Sequence, residues 1–399
     1  MTAPVPLRPQ LRRLFPSVYF PQAMSTLGAG ILLPVLPLYL EASGLRLSLV
    51  GLVTASAGIG SALGGLPASS LAERRGTDRL LAVALVIMAG TAAVLGVTDA
   101  VLALVALRVA YGFGHSGVSQ SRQLVVARSV DVGLRGRINS WIGGTHRLMY
   151  VIGPLLGGLV YGQWGEGAAF ALAGGCTALG LAFLILPGGR DDHPISARDE
   201  RTHIGSSLWR HRRRLATASL GPFLVQSARQ GRHVVVPLIG VELDLDPAAI
   251  GVLVAAGTTA DFLLFPVSGY IMDRWGRLRA MVPAFSLMAF GLAVLGVADT
   301  VTQAVGAGIV IGIGNGLSSG TMLTLSTDLA PPAEPGPFIA GFQTLSAAGS
   351  FSGPLLVGWV ADAFGLGTAA VALAVTIAIG VVWIATMVGE TGRRPIPSG

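Results

Sequence analysis

Twelve stretches of this chain are each apolar for about twenty residues, the length a helix needs to cross the hydrocarbon core of a bilayer. In the first half they fall at 15–40, 47–70, 80–97, 101–125, 140–161 and 168–187. In the second they fall at 216–243, 250–271, 280–297, 301–325, 337–361 and 368–388. A peptide group in hydrocarbon has no water to bond, so each run must satisfy its own backbone and is predicted to be a helix. A chain of 399 residues that is 52% hydrophobic and only 12% charged is excluded as a soluble globular protein. The expected class is an all-α membrane protein with twelve transmembrane helices in two pseudo-symmetric six-helix bundles.

The two halves repeat each other at one constant offset. Gly153-Pro154-Leu155-Leu156 answers to Gly353-Pro354-Leu355-Leu356. Gly112 and Gly114 answer to Gly312 and Gly314, and Glu73-Arg74-Arg75-Gly76 to Asp273-Arg274-Trp275-Gly276. Such duplication is common among transporters built from two bundles. The expected domains are 1–187, a polar linker 188–215, and 216–399.

The formal charge of +7 comes from arginine, because the chain contains no lysine. The arginines sit in short connections rather than in a basic domain, which argues against nucleic acid as a partner. Placing the N-terminus inside puts Arg74, Arg75, Arg79, Arg128, Arg135, Arg137, Arg274, Arg277 and Arg279 on the inner side. Only Arg46 then lies outside, so both termini are expected in the cytoplasm, in a cell inner membrane. Arg12-Arg13 reads as the flank of an uncleaved first helix. The basic run Arg210 to Arg214 reads either as an interfacial helix on anionic headgroups or as a solvated linker. The single cysteine, Cys176, offers no disulfide framework or metal set, and no metal or cofactor is expected.

Ionisable residues inside the spans are confined to the fourth, fifth, seventh and eighth. They are Arg108, His115, Arg122, His146, Arg147, Arg229, Arg232, His233 and Asp261. Burying an arginine at mid-bilayer costs about 2.5–3.5 kcal/mol even on the mildest scale, so these spans must line a polar interior. Arg108, His115, Ser119 and Arg122 form one helical stripe, and Gln226, Arg229, Gln230 and His233 another, with Arg232 beside it. Five arginines against one aspartate favour an anionic headgroup, because arginine suits bidentate contact with carboxylate or phosphate. Asp261 is the one carboxylate at mid-membrane depth and the candidate proton site; a pairing with Arg229 is also open. Pro34, Pro37, Gly153, Pro154, Gly353 and Pro354 are candidate sites of bending and close packing.

These motifs resemble the major facilitator superfamily of secondary transporters over nearly the whole chain. The family's loop signature, G-x-x-x-D-R-x-G-R-x-R, is met by Gly269, Asp273, Arg274, Gly276, Arg277 and Arg279. It is degraded in the first half, where Ser69 replaces the Gly and Glu73 the Asp, leaving Arg74 and Gly76. The resemblance implies a cytoplasmic gate at these loops. Arg108 with Gly112 and Gly114 is similar to the fourth-helix signature, with Tyr111 replacing Gln, which implies a role in proton coupling. Leu27-Gly28 with Pro34-Val35-Leu36-Pro37, and Gly153-Pro154 with Gly157-Gly158, resemble the twelve-helix drug–proton antiporter branch.

The expected function is proton-coupled export of amphipathic small molecules by alternating access, with anions preferred and the chain working as a monomer among membrane lipids. The alternative within transport is uptake or flipping of an organic anion or lysolipid-like molecule. The alternative outside it is a membrane-embedded lipid-modifying enzyme. The two-half organisation, and the lack of a nucleophile–base set or paired carboxylates, argue against the enzyme.

Overall fold

The computed structural model describes residues 15–130, 132–185, 209–331 and 335–391. Among them every regular element is a helix. A π turn (Phe15–Tyr19) leads into α1 (Phe20–Ala42), followed by α2 (Leu47–Arg75), α3 (Thr77–Val94) and α4 (Val101–Ser129). The stretch Val132–Ile185 is broken at Gly165, whose φ of 80° separates α5 (132–164) from α6 (166–185). The second half supplies α7 (Arg212–Glu242), α8 (Pro247–Trp275), α9 (Arg277–Leu295) and α10 (Val301–Leu317). It continues with α11 (Thr321–Leu329), α12 (Pro335–Phe364) and α13 (Leu366–Trp383). α10 and α11 share the tenth span; each of the other spans is built on one α-helix.

Nine segments of the described residues are long and apolar enough to cross a membrane, and one of them, Gly136–Ile185, holds both α5 and α6. α7 and α12 are long helices outside those nine. Both carry a row of polar side chains: Gln226, Arg229, Gln230, Arg232 and His233 on α7, and Gln343, Thr344, Ser346, Ser350 and Ser352 on α12. With these two the twelve expected spans are complete. α3, α6, α9 and α13, free of ionisable residues in their spans, expose apolar faces at Val86, Leu179, Phe290 and Val375. Most of the expected linker, 186–208, lies outside the described residues, as do Arg12, Arg13, Arg393 and Arg394. Of the basic run, Arg212, Arg213 and Arg214 form the first turn of α7, with Arg212 over the Trp209 ring at 4.4 Å. Cys176 is only partly buried.

The chain divides into two compact units. The first comprises Met1–Tyr39 and Ser56–Arg198, the second Leu40–Ala55 and Asp199–Gly399. Equivalent helix crossings within each unit account for the repeated glycines. In the first unit a Cβ on Gly153 would lie 2.6 Å from the Gly30 backbone, where α5 crosses α1. A Cβ on Gly112 would run into the Ala57 carbonyl oxygen, where α4 crosses α2. In the second unit a Cβ on Gly353 would run into the Ser227 carbonyl (α12 on α7), and one on Gly312 into that of Gly257 (α10 on α8). Backbones approach this closely only where no side chain intervenes, which is how helices pack when hydrocarbon supplies no hydrophobic drive. Pro34 and Pro37 lie inside α1, Pro154 inside α5 and Pro354 inside α12.

The first turns of α2 belong to the second unit because α12 holds them. The Asp362 carboxylate accepts hydrogen bonds from the Leu47 N–H (2.8 Å) and the Ser48 N–H (3.0 Å), capping the N-terminus of α2. Slight burial works against ionisation of Asp362. The Ser48 and Leu47 hydrogen bonds and the Arg46 charge outweigh it and hold the carboxyl below the usual carboxylate range. Its contribution is therefore present above the ordinary carboxylate pKa and is lost as pH falls through the depressed value.

Two outcomes are expected. Gly353→Val should lower thermal stability in detergent by at least about 1–3 kcal/mol through overpacking, while Gly306→Val, which meets nothing within 4 Å, should change it little. Asp362→Ala should speed hydrogen exchange at the amides of Leu47 and Ser48 at pH 7, and in the unmutated chain the same loss of protection should occur only on strong acidification.

Candidate functional site

In the first unit the stripe on α4 and the polar residues of α5 come together. Arg108 is buried, and its guanidinium stands 5.1 Å from the centroid of the Tyr111 ring. Its Nε has no hydrogen-bond partner among the described residues, and neither has the buried Tyr111 hydroxyl. Tyr150 lies within electrostatic reach of Arg108. His146 stacks on Tyr150 with ring centroids 4.8 Å apart and lies within electrostatic reach of His115, Arg122 and Arg147. His115 is exposed, and Arg122 and Arg147 are half-buried. Arg122 shares a tight void with Gln22, whose Oε1 is also buried without a partner while its Nε2 donates to Thr26 (3.1 Å). Among the described residues no carboxylate pairs with Arg108, His115, Arg122 or His146. This part of the site is cationic and aromatic.

The second unit is arranged differently. Asp261, on α8 and 8% exposed, accepts a hydrogen bond from Asn315 Nδ2 at 2.9 Å. Arg229, on α7, donates from Nη2 to Ser318 Oγ (2.5 Å) and to the Ser318 carbonyl (3.4 Å), and lies 5.3 Å from the Phe285 centroid. Ser318 Oγ in turn donates to the Asn315 carbonyl at 3.0 Å. Arg229 and Asp261 are thus joined through α10, one turn apart on its last residues. On the same face of α7, Gln226 donates to Ser350 Oγ on α12 (3.1 Å). Gln230, Arg232 and His233 are half-buried, with His233 in electrostatic reach of Arg232.

The helix stops here for a local reason. Ser318-Ser319-Gly320 interrupts an apolar run, and Gly320 takes a left-handed φ of 77°. The freed carbonyls do not go unbonded. The Ser318 carbonyl accepts from Arg229 and from Thr321 Oγ1 (2.7 Å), and that of Ser319 from Ser268 Oγ (2.8 Å). The matching positions in α4, Val118 to Gln120, are continuous helix. Asn315, Ser318, Ser319 and Gly320, with Gln22, are site residues that the charge-based sequence reading passes over. The Ser-Ser-Gly triplet was the available signal.

At the loop between α8 and α9, Gly276 adopts a φ of 95°. Arg277 pairs with Asp328 (3.3 Å) and donates from Nη1 to the Met272 carbonyl that ends α8 (3.2 Å). Glu390 caps α9, accepting from the N–H groups of Arg277 (2.8 Å) and Leu278 (3.1 Å). Thr391 donates to Asp328 (3.1 Å), and Arg274 to Tyr270 (2.9 Å). Gly269 sits in the last turns of α8, and Arg74 is exposed at the end of α2, before Gly76. The side chains of Glu73 and Asp273 lie outside the described residues.

Comparison with known proteins decides the family. The Major Facilitator Superfamily model matches twice, over residues 18–229 and 218–398, one match per half. The chain belongs to the major facilitator superfamily. No curated protein matches its sequence. Among solved structures it is similar to a single-residue mutant of the nucleoside transporter NupG (TM-score 0.77, 14% identity, 95% of this chain and 99% of that one). It is also similar to a bacterial homolog of the human lysosomal transporter Spinster in an inward-facing, unoccupied conformation. There the TM-score is 0.73, the identity 15%, and the coverage 99% of this chain and 100% of that one. At such identity the likeness establishes the fold. Membership in the major facilitator superfamily makes the chain a multi-pass secondary transporter of small molecules rather than an enzyme.

The α8–α10 connection generates a quantitative expectation. Asp261→Ala and Asn315→Ala should each destabilise the protein, and a double-mutant cycle should return a coupling of about 0.5–3 kcal/mol, measured by thermal unfolding in one detergent.

Proposed function

We propose that this chain exports amphipathic small molecules with an anionic headgroup, in exchange for protons, across a cell inner membrane with both termini in the cytoplasm. The observation that carries the anionic reading is the buried Arg108. A buried charge is stable only with a compensating partner, and here Arg108 has an aromatic ring, an unbonded Nε and His115 within electrostatic reach. An anion from outside the protein would supply the missing charge. Guanidinium groups at Arg108, Arg122 and Arg147 would meet its oxygens, with His115 and His146 beside them. Gln226, Arg229, Gln230, Arg232 and His233 would form the corresponding face of the second unit.

Asp261 is the proposed proton site. It is a buried carboxylate held by Asn315, and its network reaches Arg229 through Ser318. Taking up or losing a proton there changes what Asn315 can bond and so bears on the α10 break. Arg108 would act with Asp261 in coupling, as the family resemblance implies. The antiporter direction rests on the proline and glycine motifs of α1 and α5. Arg277, Asp328 and Glu390, with the Glu73–Gly76 and Gly269–Gly276 loops, would form the cytoplasmic gate, and two bundles, 1–187 and 216–399, would rock about the substrate.

The deciding experiment is thermal stabilisation of the detergent-purified protein by ligand pairs that share an apolar body and differ only in headgroup. A phosphate or carboxylate member at about a hundred times its Kd should add about 2.7 kcal/mol. The quaternary ammonium member should add nothing, and the gain should vanish in Arg108→Ala and Arg147→Ala. Stabilisation by the ammonium member alone would sink the anionic reading and make Asp261 the counter-ion of a cationic substrate.

A further inference from the structure

We propose that the apolar body of the transported anion is a single alkyl chain, seated in a membrane-facing groove of the second unit between α2, α7, α12 and α13. This inference rests on the anionic, amphipathic reading above and deepens it. The groove has a volume of about 790 Å³, within the range of small-molecule sites. Its walls are Leu49 and Leu52 of α2, Phe223 and Leu224 of α7, and Phe351 and Leu355 of α12.

The hydroxyls that reach it are already engaged. Ser352 Oγ donates to Ser227 Oγ (3.1 Å), Thr376 Oγ1 to the Ala372 carbonyl (2.8 Å), and the Ser48 side chain bonds Asp362. Nothing in the lining asks for a polar occupant, and an ordered water would find too few partners. The rim is apolar and open, with Trp359 70% exposed. From Phe351 to Trp359 the α12 wall runs about 12 Å at 1.5 Å per residue, within the hydrocarbon depth of the span. A chain enters such a groove sideways from the bilayer without crossing water.

What distinguishes this groove from the outer surface of any membrane helix is its border with the site. Phe223 and Ser227 on α7 stand next to Gln226 and Gln230, and Phe351 stands next to Ser350 on α12. The hydrogen bonds Gln226–Ser350 and Ser227–Ser352 form the seam between the two. A chain lying in the groove therefore brings its headgroup to the edge of the Gln226–Arg229–Gln230 face. Cationic side chains at one end and an apolar trough at the other match an anionic single-chain amphiphile.

The test uses the full chain in zwitterionic nanodiscs and reads Trp359 fluorescence as the difference between the unmutated protein and Trp359→Phe. The probes are hexadecyl phosphate and hexadecyl trimethylammonium, each brominated in mid-chain as a contact quencher. The expected result is saturable quenching of the Trp359 component by the phosphate probe, at concentrations about tenfold below those for the ammonium probe. Thr376→Phe, which fills the groove from α13, should remove the saturable part. Quenching that only rises linearly with probe would overturn the inference. Saturable quenching indifferent to headgroup would overturn it too, by marking a seat for any bilayer lipid. The two readings separate cleanly. If short-chain phosphates stabilise the protein while Trp359 sees no saturable quenching, only the groove fails. If quenching saturates with the ammonium probe binding more tightly, the groove stands and the anionic reading fails.

Discussion

A peptide group buried in hydrocarbon must find its hydrogen bond inside the protein, and the architecture follows from that demand. It forces the spans into helices and makes any interruption costly unless side chains supply what the helix no longer does. The tenth span shows the rule at its limit. Between α10 and α11 the ladder is lost over Ser318 to Gly320, and Arg229, Ser268 and Thr321 supply the missing donors. Irregular backbone at this depth is tolerated only where it is buried in protein or lines a polar cavity. Arg229 is therefore a structural residue as well as a candidate ligand, and its removal would disturb the helix break along with the charge of the site.

The same low dielectric governs the charges. The two units solve it in opposite ways despite their common ancestry. In the second unit a carboxylate, an amide, a hydroxyl and a guanidinium form a network joining α7, α8 and α10. In the first, Arg108 stands over the Tyr111 ring and His146 stacks on Tyr150. Duplication preserved the helix crossings, as the matching close contacts at Gly112 and Gly312, and at Gly153 and Gly353, attest. It did not preserve the chemistry between them. Packing is constrained identically in both halves because backbones must touch at the same places, while the polar faces were left to diverge.

Much of this was legible in the sequence, for identifiable reasons. The spans emerge because hydrocarbon thickness fixes their length. The polar helices emerge because buried arginine is too costly to occur by accident. His115 and Arg122, on the one stripe of α4 that their spacing marks, lie within electrostatic reach of His146 on α5. The tenth-span break did not emerge, because an average over twenty apolar residues hides two serines and a glycine. Asn315 and Ser318 were invisible to a search for ionisable groups, although each is the neutral partner that makes a buried charge tolerable. The Asp362 and Glu390 caps could not be read at all. Each joins residues far apart in the chain, 113 residues for Glu390 and Arg277, and acidic residues near helix ends are too common to single out a partner.

Glu390 lies beyond the final membrane helix, in a stretch that sequence alone would treat as disposable. Its carboxylate occupies the first two amides of α9, and its neighbour Thr391 holds Asp328, the partner of Arg277. The fold is therefore closed by residues outside the bilayer, after the last span has been inserted. During synthesis the α8–α9 loop must wait, uncapped, until Glu390, 113 residues later, has left the ribosome. A shortened chain ending at Val388 would keep every membrane helix and still lack the clasp that finishes the loop.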